Sequence, residues 1–115
     1  MFFFLKANIP LLLSISSGSV CGTMPLSTGF VTEEFKCNPV NTYGSGKLMA
    51  EKIFLKTEIS CAISRCFAFV GPHMTLNTHF AIGNILGNCL CNEPIIIKGD
   101  GQSLRSFMYS TDLVD

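Results

Sequence analysis

A tyrosine and a lysine four residues apart, Tyr43 and Lys47, are the side chains with the clearest potential for chemistry in this sequence. On a helix this spacing places both side chains on one face, about one turn apart. A lysine ammonium beside a tyrosine favours the phenolate form, which a tyrosine needs in order to act as a general base. The same spacing is also common on ordinary helix surfaces, so the pair alone does not establish a site.

Hydroxyl groups precede this pair, directly after an apolar run. The run at residues 11–15 predicts a buried parallel strand, and it ends in the small polar residues Ser16, Ser17 and Ser19. Open parallel α/β sheets bind ligands at the carboxyl ends of their strands. A hydroxyl at this place could therefore hydrogen-bond a substrate oxygen while the phenolate removes the proton. As an alternative, Ser16 and Ser19 only satisfy backbone groups at the strand end.

The rest of the sequence predicts the elements that would position these residues. In chain order they are a loop at residues 22–38, a helix at about 39–58, a strand at 61–70, a helix at about 77–91, a short strand at 95–98 and a last segment at 107–109. Asn38 before Pro39 is the predicted start of the first helix. Strands that alternate with helices predict an α/β fold with a parallel sheet.

Composition limits the classes of protein to which the chain can belong. With 115 residues, the chain is long enough for one core but not for two. Hydrophobic residues make up 48% and charged residues only 14%, whereas an ordinary soluble domain has about 25% charged residues. We therefore expect other parts of a protein to cover some of its surface. The net charge is zero and no basic stripe occurs, which excludes a nucleic-acid partner of the usual kind.

The six cysteines could form a disulfide scaffold, but their placement favours free thiols. Cys21, Cys61 and Cys66 lie in or beside apolar runs, Cys89 and Cys91 are separated by one residue, and no CxxC pair occurs. We predict buried free thiols in a reducing cytoplasm, and keep a small secreted cysteine-rich protein as the alternative. The two histidines form no zinc-ligand pattern with the cysteines, so no metal site is predicted.

The apolar segment at residues 1–15 allows two interpretations. As a signal peptide it is unusual, because its only lysine, Lys6, follows the phenylalanines and Pro10 interrupts the run. It is also too short to cross a membrane. We prefer a helix tail that ends near Asn8 and Pro10, followed by the first strand. That reading predicts a cytoplasmic protein without a membrane partner, and the signal peptide stays as the alternative.

Four motifs occur in an order that resembles the NAD-dependent epimerase/dehydratase family of extended short-chain dehydrogenases. They are Ser-Ser-x-x-Val-x-Gly at residues 16–22, Asn-Pro-x-x-x-Tyr-Gly-x-x-Lys-x-x-x-Glu at 38–51, Arg-x-Phe-x-x-x-Gly-Pro at 65–72 and Gly-Asp-Gly-x-x-x-Arg-x-Phe at 99–107. Each motif is modest by itself, whereas the ordered set is specific. The resemblance runs from about Leu11 to Asp115. Familiar members of the family are UDP-galactose 4-epimerase and dTDP-glucose 4,6-dehydratase.

The resemblance implies a fold, a cofactor and an activity. The fold would be a partial Rossmann-like doubly wound parallel sheet, and residues 1–115 would form the catalytic half of that domain plus the start of the substrate-binding region. The cofactor would be NAD or NADP, and the substrate a nucleotide sugar. Epimerisation is the leading activity, with a dehydratase, a reductase or a non-catalytic remnant of a broken gene as alternatives. Full-length relatives are expected to be homodimers.

The resemblance also implies roles for individual residues. Tyr43 would be the base, Lys47 would hold the nicotinamide ribose and favour the tyrosinate, and Ser17 would be the catalytic hydroxyl. The backbone of Phe67 would lie near the nicotinamide. Arg105 matches the arginine that grips the diphosphate of the nucleotide sugar, a bidentate task that suits a guanidinium. His79 stands near a substrate-side position. Apart from the resemblance, we expect Arg65 to be a structural ion-pair partner and Asp112 to cap or anchor the last segment.

The sequence departs from the family pattern at several of these positions. The 4,6-dehydratases place an Asp and a Glu directly after the catalytic hydroxyl, where this chain has Gly18 and Ser19. Dehydration by that route is therefore disfavoured. Ala68 replaces an asparagine that contacts the sugar, and Cys21 replaces a tyrosine.

No glycine-rich turn for the dinucleotide occurs in the sequence. Neither GxxGxxG nor GxGxxG follows a strand, so the usual cradle for the pyrophosphate is missing. The Gly44-Ser-Gly46-Lys47 segment is not a phosphate loop, because Asn41 and Leu48 stand where a glycine and a hydroxyl belong. The sequence also stops directly after the last family motif. We therefore expect a fragment truncated at both ends and inactive in isolation.

Overall fold

A computed structural model describes residues 9–24, 29–76, 78 and 80–114. The chain divides into two compact units, Met1–Phe67 and Ala68–Asp115. Each unit contains one pair of parallel strands. The predicted helix tail before Asn8 and the predicted site residue His79 lie outside the described residues.

The first unit is built on a parallel strand pair with a helical crossover. Strand β1 spans Leu11–Ser17 and is followed by a single 3-10 turn at Gly18–Val20. Helix α1 spans Thr42–Phe54, and strand β2 spans Ser60–Cys66. The register pairs Leu11 with Ser60 and Ser17 with Cys66. Both strands therefore end at the same edge, and Ser17 lies at that edge as the sequence predicts.

Helix α1 begins later than the sequence analysis predicts. Asn41, not Asn38, is the N-cap residue, and its side-chain oxygen accepts a hydrogen bond of 2.7 Å from the backbone N–H of Gly44. Asparagine is among the preferred N-cap residues because it satisfies an amide that has no partner inside the helix. The helix also ends earlier than residue 58, at Phe54.

The core of the first unit is small and partly polar. Among the described residues, the buried apolar side chains are Val20 and Cys21, and the buried polar ones are Ser16 and Glu51. The strands are less buried than predicted, since alternate residues of β1 are 47% to 62% exposed. These are Leu11, Leu13 and Ile15. No described element covers that face of β1, and the expectation that another part of a protein covers it stays a prediction.

The second unit contains the remaining regular elements. Strand β3 spans Ala68–Val70, helix α2 spans Ala81–Leu90, and strand β4 spans Phe107–Tyr109. Strands β3 and β4 pair in parallel, with Ala68 opposite Phe107. A 3-10 turn at Ser110–Leu113 follows β4 and includes Asp112, and the Ser110 side chain lies directly against Gly71.

Two strand predictions in this region are wrong. The segment at residues 95–98 forms no strand, although its isoleucines are apolar. Ile96 and Ile97 are 75% and 65% exposed, so no described partner buries them. The single strand predicted at residues 61–70 is two strands that belong to different sheets, with Phe67 between them.

All six cysteines are free, but only one of them is buried. Cys21 is buried, Cys37, Cys61 and Cys66 are half-buried, and Cys89 and Cys91 are exposed. The prediction of free thiols agrees with the structure, whereas the prediction that they are buried holds for Cys21 alone. Within the described ranges, no helix is long and apolar enough to span a bilayer.

Candidate active site

One face of helix α1 carries three side chains with ionisable groups at intervals of four residues. They are Tyr43, Lys47 and Glu51. Tyr43 is 58% exposed, Lys47 is half-buried, and Glu51 is 2% exposed. Because each interval of four residues advances about 6 Å along a helix, the face runs from an exposed phenol to a buried carboxylate.

Lys47 connects this helix to the end of strand β1. Its ammonium donates a hydrogen bond of 2.9 Å to the backbone carbonyl of Ile15. The same nitrogen lies 5.9 Å from the centre of the Tyr43 ring, at the outer limit of a cation–π contact. The structure therefore brings Tyr43 and Lys47 together and holds the ammonium two residues before Ser17.

The start of helix α1 packs closely on the turn that follows Ser17. A Cβ atom at Gly44 would lie 2.5 Å from the carbonyl oxygen of Ser19 and 3.0 Å from Cβ of Pro39. Only glycine leaves room for such an approach of two backbones. Gly44 adjoins Tyr43, so this contact sets how near the tyrosine comes to the 3-10 turn.

Ser17 lies at the N-cap of that turn. Its hydroxyl oxygen accepts a hydrogen bond of 3.2 Å from the backbone N–H of Ser19. A serine hydroxyl also has a hydrogen to donate and a second lone pair, so the cap leaves Ser17 able to bind a substrate oxygen. The cap fixes the hydroxyl at the carboxyl end of β1, where the sequence analysis expects it.

Phe67 lies beside the same strand end. Its ring packs against Gly18 so closely that a Cβ atom there would overlap the ring carbons. The side chain is nevertheless 50% exposed. All four candidate residues, Ser17, Tyr43, Lys47 and Phe67, thus belong to the first unit. Lys47 and Phe67 contact residues at or next to the end of β1.

A buried ionic network lies beneath these residues and connects three elements. The guanidinium of Arg65 on β2 forms an ion pair of 2.8 Å with Glu51 on α1. The hydroxyl of Ser16 on β1 donates a short hydrogen bond to the same carboxylate. Arg65 also donates a hydrogen bond of 3.3 Å to the carbonyl of Glu33. Arg65 is therefore the structural ion-pair partner that the sequence suggests, while Ser16 bonds a side chain instead of the backbone.

The network keeps Glu51 ionised although it is buried. Burial alone would raise the pKa of the carboxyl group. The hydrogen bonds from Arg65 and Ser16, together with the positive charge of Arg65, outweigh burial and hold the pKa of Glu51 below its usual range. A paired carboxylate of this kind stabilises the fold only while it stays charged.

The first unit also has a cleft of about 620 Å³ beside the buried network. Its lining includes Cys21, Glu51, Arg65 and Phe67. Neither Tyr43 nor Lys47 lines it. The cleft therefore gives access to the buried network and to Cys21, not to the phenol.

Arg105 belongs to the second unit and is exposed. Its guanidinium donates a hydrogen bond of 3.3 Å to the carbonyl of the adjacent Leu104. Across the parts of the chain that the structure describes, the one ion pair is that of Arg65 with Glu51, so no described carboxylate neutralises Arg105. The role predicted for His79 stays a prediction, because that residue is not described.

No role for Glu51 is predicted from the sequence, although a signal is present. Glu51 continues the interval of four residues that connects Tyr43 to Lys47, so it had to share their face. Arg65 is the only charged residue in strand β2. A charged residue in a strand predicts a partner of opposite charge, here an acidic one. The contact of both groups with Ser16 depends on the packing of three elements and has no sequence signature.

Comparison with known proteins establishes the family. The model of the NAD dependent epimerase/dehydratase family matches residues 3–115. The chain belongs to this family. Its membership of a family of NAD-dependent enzymes confirms the resemblance seen in the four ordered motifs.

Curated relatives of this family member include enzymes that act on UDP-sugars by name. UDP-glucuronic acid decarboxylase 4 of Arabidopsis thaliana is 31% identical over 85 residues, which cover 68% of this chain and 19% of the relative. The uncharacterized UDP-glucose epimerase YtcB of Bacillus subtilis is 32% identical over 103 residues, which cover 86% of this chain and 31% of the relative. The chain thus spans less than a third of the length of either relative.

Solved structures of the family have the same fold. UDP-glucuronic acid 4-epimerase from Bacillus cereus in complex with NAD superimposes with a TM-score of 0.78 at 27% identity, covering 95% of this chain and 35% of that one. The dTDP-glucose 4,6-dehydratase from Bacillus anthracis in complex with NAD gives 0.75 at 26% identity, covering 89% and 33%. The partial Rossmann-like α/β fold class is thereby confirmed, and NAD in both complexes agrees with the predicted cofactor.

Proposed function

We propose that this family member is an epimerase that inverts a hydroxyl-bearing carbon of a nucleotide sugar. The observation that carries the proposal is the position of the Lys47 ammonium. It contacts the Tyr43 ring and is hydrogen-bonded to the carbonyl of Ile15, just before Ser17. This position supports a single centre formed by a hydroxyl, a phenol and an ammonium.

Each of the three side chains has one task in the proposed reaction. Tyr43, as the phenolate, removes the proton of the sugar hydroxyl and later returns it to the same oxygen. Ser17 donates a hydrogen bond to that oxygen and orients it. Lys47 stabilises the negative charge on the phenolate. NAD, when held by Lys47 and bordered by Phe67, would supply the acceptor and donor of the hydride exchanged with the sugar carbon.

The residues around the end of β1 suit the nicotinamide end of NAD. An ammonium has three donors, and one donor of Lys47 is used by Ile15. The others can bind ribose hydroxyls in our proposal. Phe67 offers a half-exposed ring beside Gly18, and its backbone would border the nicotinamide. Tyr43 would complete this part of the site.

The proposed substrate is a nucleotide sugar. A structure of the Bacillus cereus 4-epimerase contains UDP-glucuronic acid together with NAD. Arg105, which is exposed and has no described acidic partner, would bind the diphosphate through its planar guanidinium. His79 would lie on the substrate side.

Decarboxylation of a UDP-sugar acid is a second candidate. It is favoured by the decarboxylases among the relatives, which are about 31% identical to this chain. The first step would be the same, since oxidation at the carbon two positions from a carboxyl group gives a keto acid that releases carbon dioxide. Ser17, Tyr43 and Lys47 would keep their tasks, and only the fate of the keto intermediate would differ.

A chimera tests the proposed function. Residues 11–114 would replace the matching segment of the Bacillus cereus UDP-glucuronic acid 4-epimerase, which supplies the remaining parts of the enzyme. We expect the purified, folded chimera to convert UDP-glucuronic acid or UDP-glucose to the 4-epimer, as followed by chromatography. Release of carbon dioxide would favour the decarboxylase instead. A folded chimera that binds NAD and transforms none of these sugars would contradict both candidates.

A further inference from the structure

Two cysteines from separate segments meet beside the 3-10 turn that follows Ser17. Cys21 ends this turn, where its backbone N–H donates a hydrogen bond of 3.0 Å to the carbonyl of Gly18. Cys37 lies in the loop that leads to helix α1 and is half-buried. Cys21 has no task in the catalytic scheme proposed above.

The backbones next to the two cysteines are in direct contact. A Cβ atom at Gly22 would overlap the carbonyl oxygen of Asn38, and Gly22 has a φ of 71°. Both the contact and the positive φ favour glycine there. Gly22 adjoins Cys21 and Asn38 adjoins Cys37, so the contact holds the backbones of the two cysteines near each other. The pKa of the Cys21 thiol is raised by burial and also by the neighbouring Cys37 thiol, so the two thiols lie within range of each other.

The surroundings of the thiols suit exchange chemistry. Both thiols lie in the field of the Arg65 guanidinium, which Glu51 holds in place. Burial raises the pKa of the Cys21 thiol, and the Arg65 guanidinium opposes that rise. Cys37 is half-buried whereas Cys21 is buried, so Cys37 is the more accessible thiol. We expect Cys37 to react first and Cys21 to resolve the intermediate.

We propose that Cys21 and Cys37 form a reversible disulfide by exchange with a small disulfide of the glutathione type. The Cys37 thiolate attacks one sulfur of the small disulfide, forms a mixed disulfide and releases one thiol. Cys21 then gives up its proton and attacks the sulfur of Cys37, and the second small thiol leaves. The protein pair is oxidised by two electrons, and the small disulfide is reduced to two thiols.

Access and geometry support this exchange. Cys21 lines the cleft of the first unit, and Cys37, which is half-buried, keeps some exposure to solvent. The new bond would close a loop from the end of the 3-10 turn to the approach of helix α1. It would thus tie the turn after Ser17 to the segment before Tyr43. Any effect of this disulfide on the turnover of the enzyme rests on the proposed function. Formation of the disulfide itself does not.

The sequence allows a direct test on the full chain. Trypsin cleaves after lysine and arginine, so Cys21 and Cys37 are released on separate peptides, residues 7–36 and 37–47, each with one cysteine. The folded chain would be equilibrated with mixtures of reduced and oxidised glutathione, alkylated and digested. We expect mass spectrometry to find the two peptides linked, and reduction to separate them.

Variants distinguish the pair from general thiol oxidation. In Cys21→Ser, we expect Cys37 to accumulate as the mixed disulfide with glutathione, because the resolving thiol is gone. Changing the exposed Cys89 and Cys91 to serine should leave the linked peptides at the wild-type level. The proposal is overturned if the folded wild-type chain shows glutathione on Cys89 and Cys91 but no link between Cys21 and Cys37. It is also overturned if the link forms equally in chain unfolded by urea.

Discussion

Replacing Tyr43 by phenylalanine in the chimera is expected to lower kcat by about 10²- to 10⁴-fold, the range for loss of a general base. The change removes one oxygen and keeps the ring. The Tyr43 side chain is 58% exposed, so its hydroxyl contributes little to the stability of the fold. Binding of the nucleotide sugar should stay close to that of the unchanged chimera. Initial rates over a range of substrate concentrations measure both quantities.

Tyr109→Phe is the matched control for this experiment. Tyr109 is the only other tyrosine in the chain, lies on β4 and is 45% exposed. It is therefore similar in exposure but belongs to the other unit. We expect this variant to keep the kcat of the chimera. Equal losses in the two variants would show that the effect of Tyr43→Phe is not one of proton transfer.

Replacing Glu51 by glutamine is expected to destabilise the chain by about 3 kcal/mol, the lower end of the range for breaking a buried ion pair. Glu51 is 2% exposed, and the loss of its negative charge leaves the Arg65 guanidinium without its charge partner. The lower end applies because the Arg65 side chain is 25% exposed and keeps some contact with water. Urea unfolding of the full chain, followed by circular dichroism, measures the change in free energy.

The ion pair of Glu51 with Arg65 also predicts how the stability of the fold depends on pH. The pKa of Glu51 is lower in the folded chain than in the unfolded chain, where it is about 4.3. Its contribution is therefore present above that value and is lost as the pH falls through the lower, folded-state pKa. We expect wild-type stability to fall in acid and the Glu51→Gln variant to lose part of that dependence.

Glu58→Gln provides the control for both measurements. Glu58 is an exposed glutamate between α1 and β2. Its change removes the same charge and creates the same amide without disturbing the buried network. We expect its free energy of unfolding to stay within about 0.5 kcal/mol of the wild type, as for most surface changes. A comparable destabilisation by both variants would contradict the assignment of Glu51 to a buried pair.

Much of the first unit was predictable because its strands and its helix have strong local signals. The apolar run at residues 11–15 predicted β1. The four-residue spacing of Tyr43 and Lys47 predicted the face of α1 that carries both side chains. The start of α1 was missed because Asn38 and Asn41 are both acceptable caps, and only the contact with Gly44 selects Asn41. The ordered motifs identified the family, but they assign roles only by resemblance.

Features that depend on distant contacts could not be predicted from the sequence. The segment at residues 95–98 is apolar like a strand, yet no strand of the described chain pairs with it. The meeting of Cys21 with Cys37 depends on the path of the loop between them and on the approach of Gly22 to Asn38. Likewise, Ser16 reaches Glu51 only because α1 packs on β1. Local propensity contains no information about such contacts.

The central claim is that Ser17 and Tyr43 act on one substrate oxygen, and a double-mutant cycle in the chimera tests it most directly. Ser17→Ala and Tyr43→Phe would be measured singly and together by kcat/KM. Residues that work as a unit are not additive. We therefore predict that the double variant is hardly slower than Tyr43→Phe alone. If the two losses multiply instead, the residues act independently and the proposed centre is contradicted.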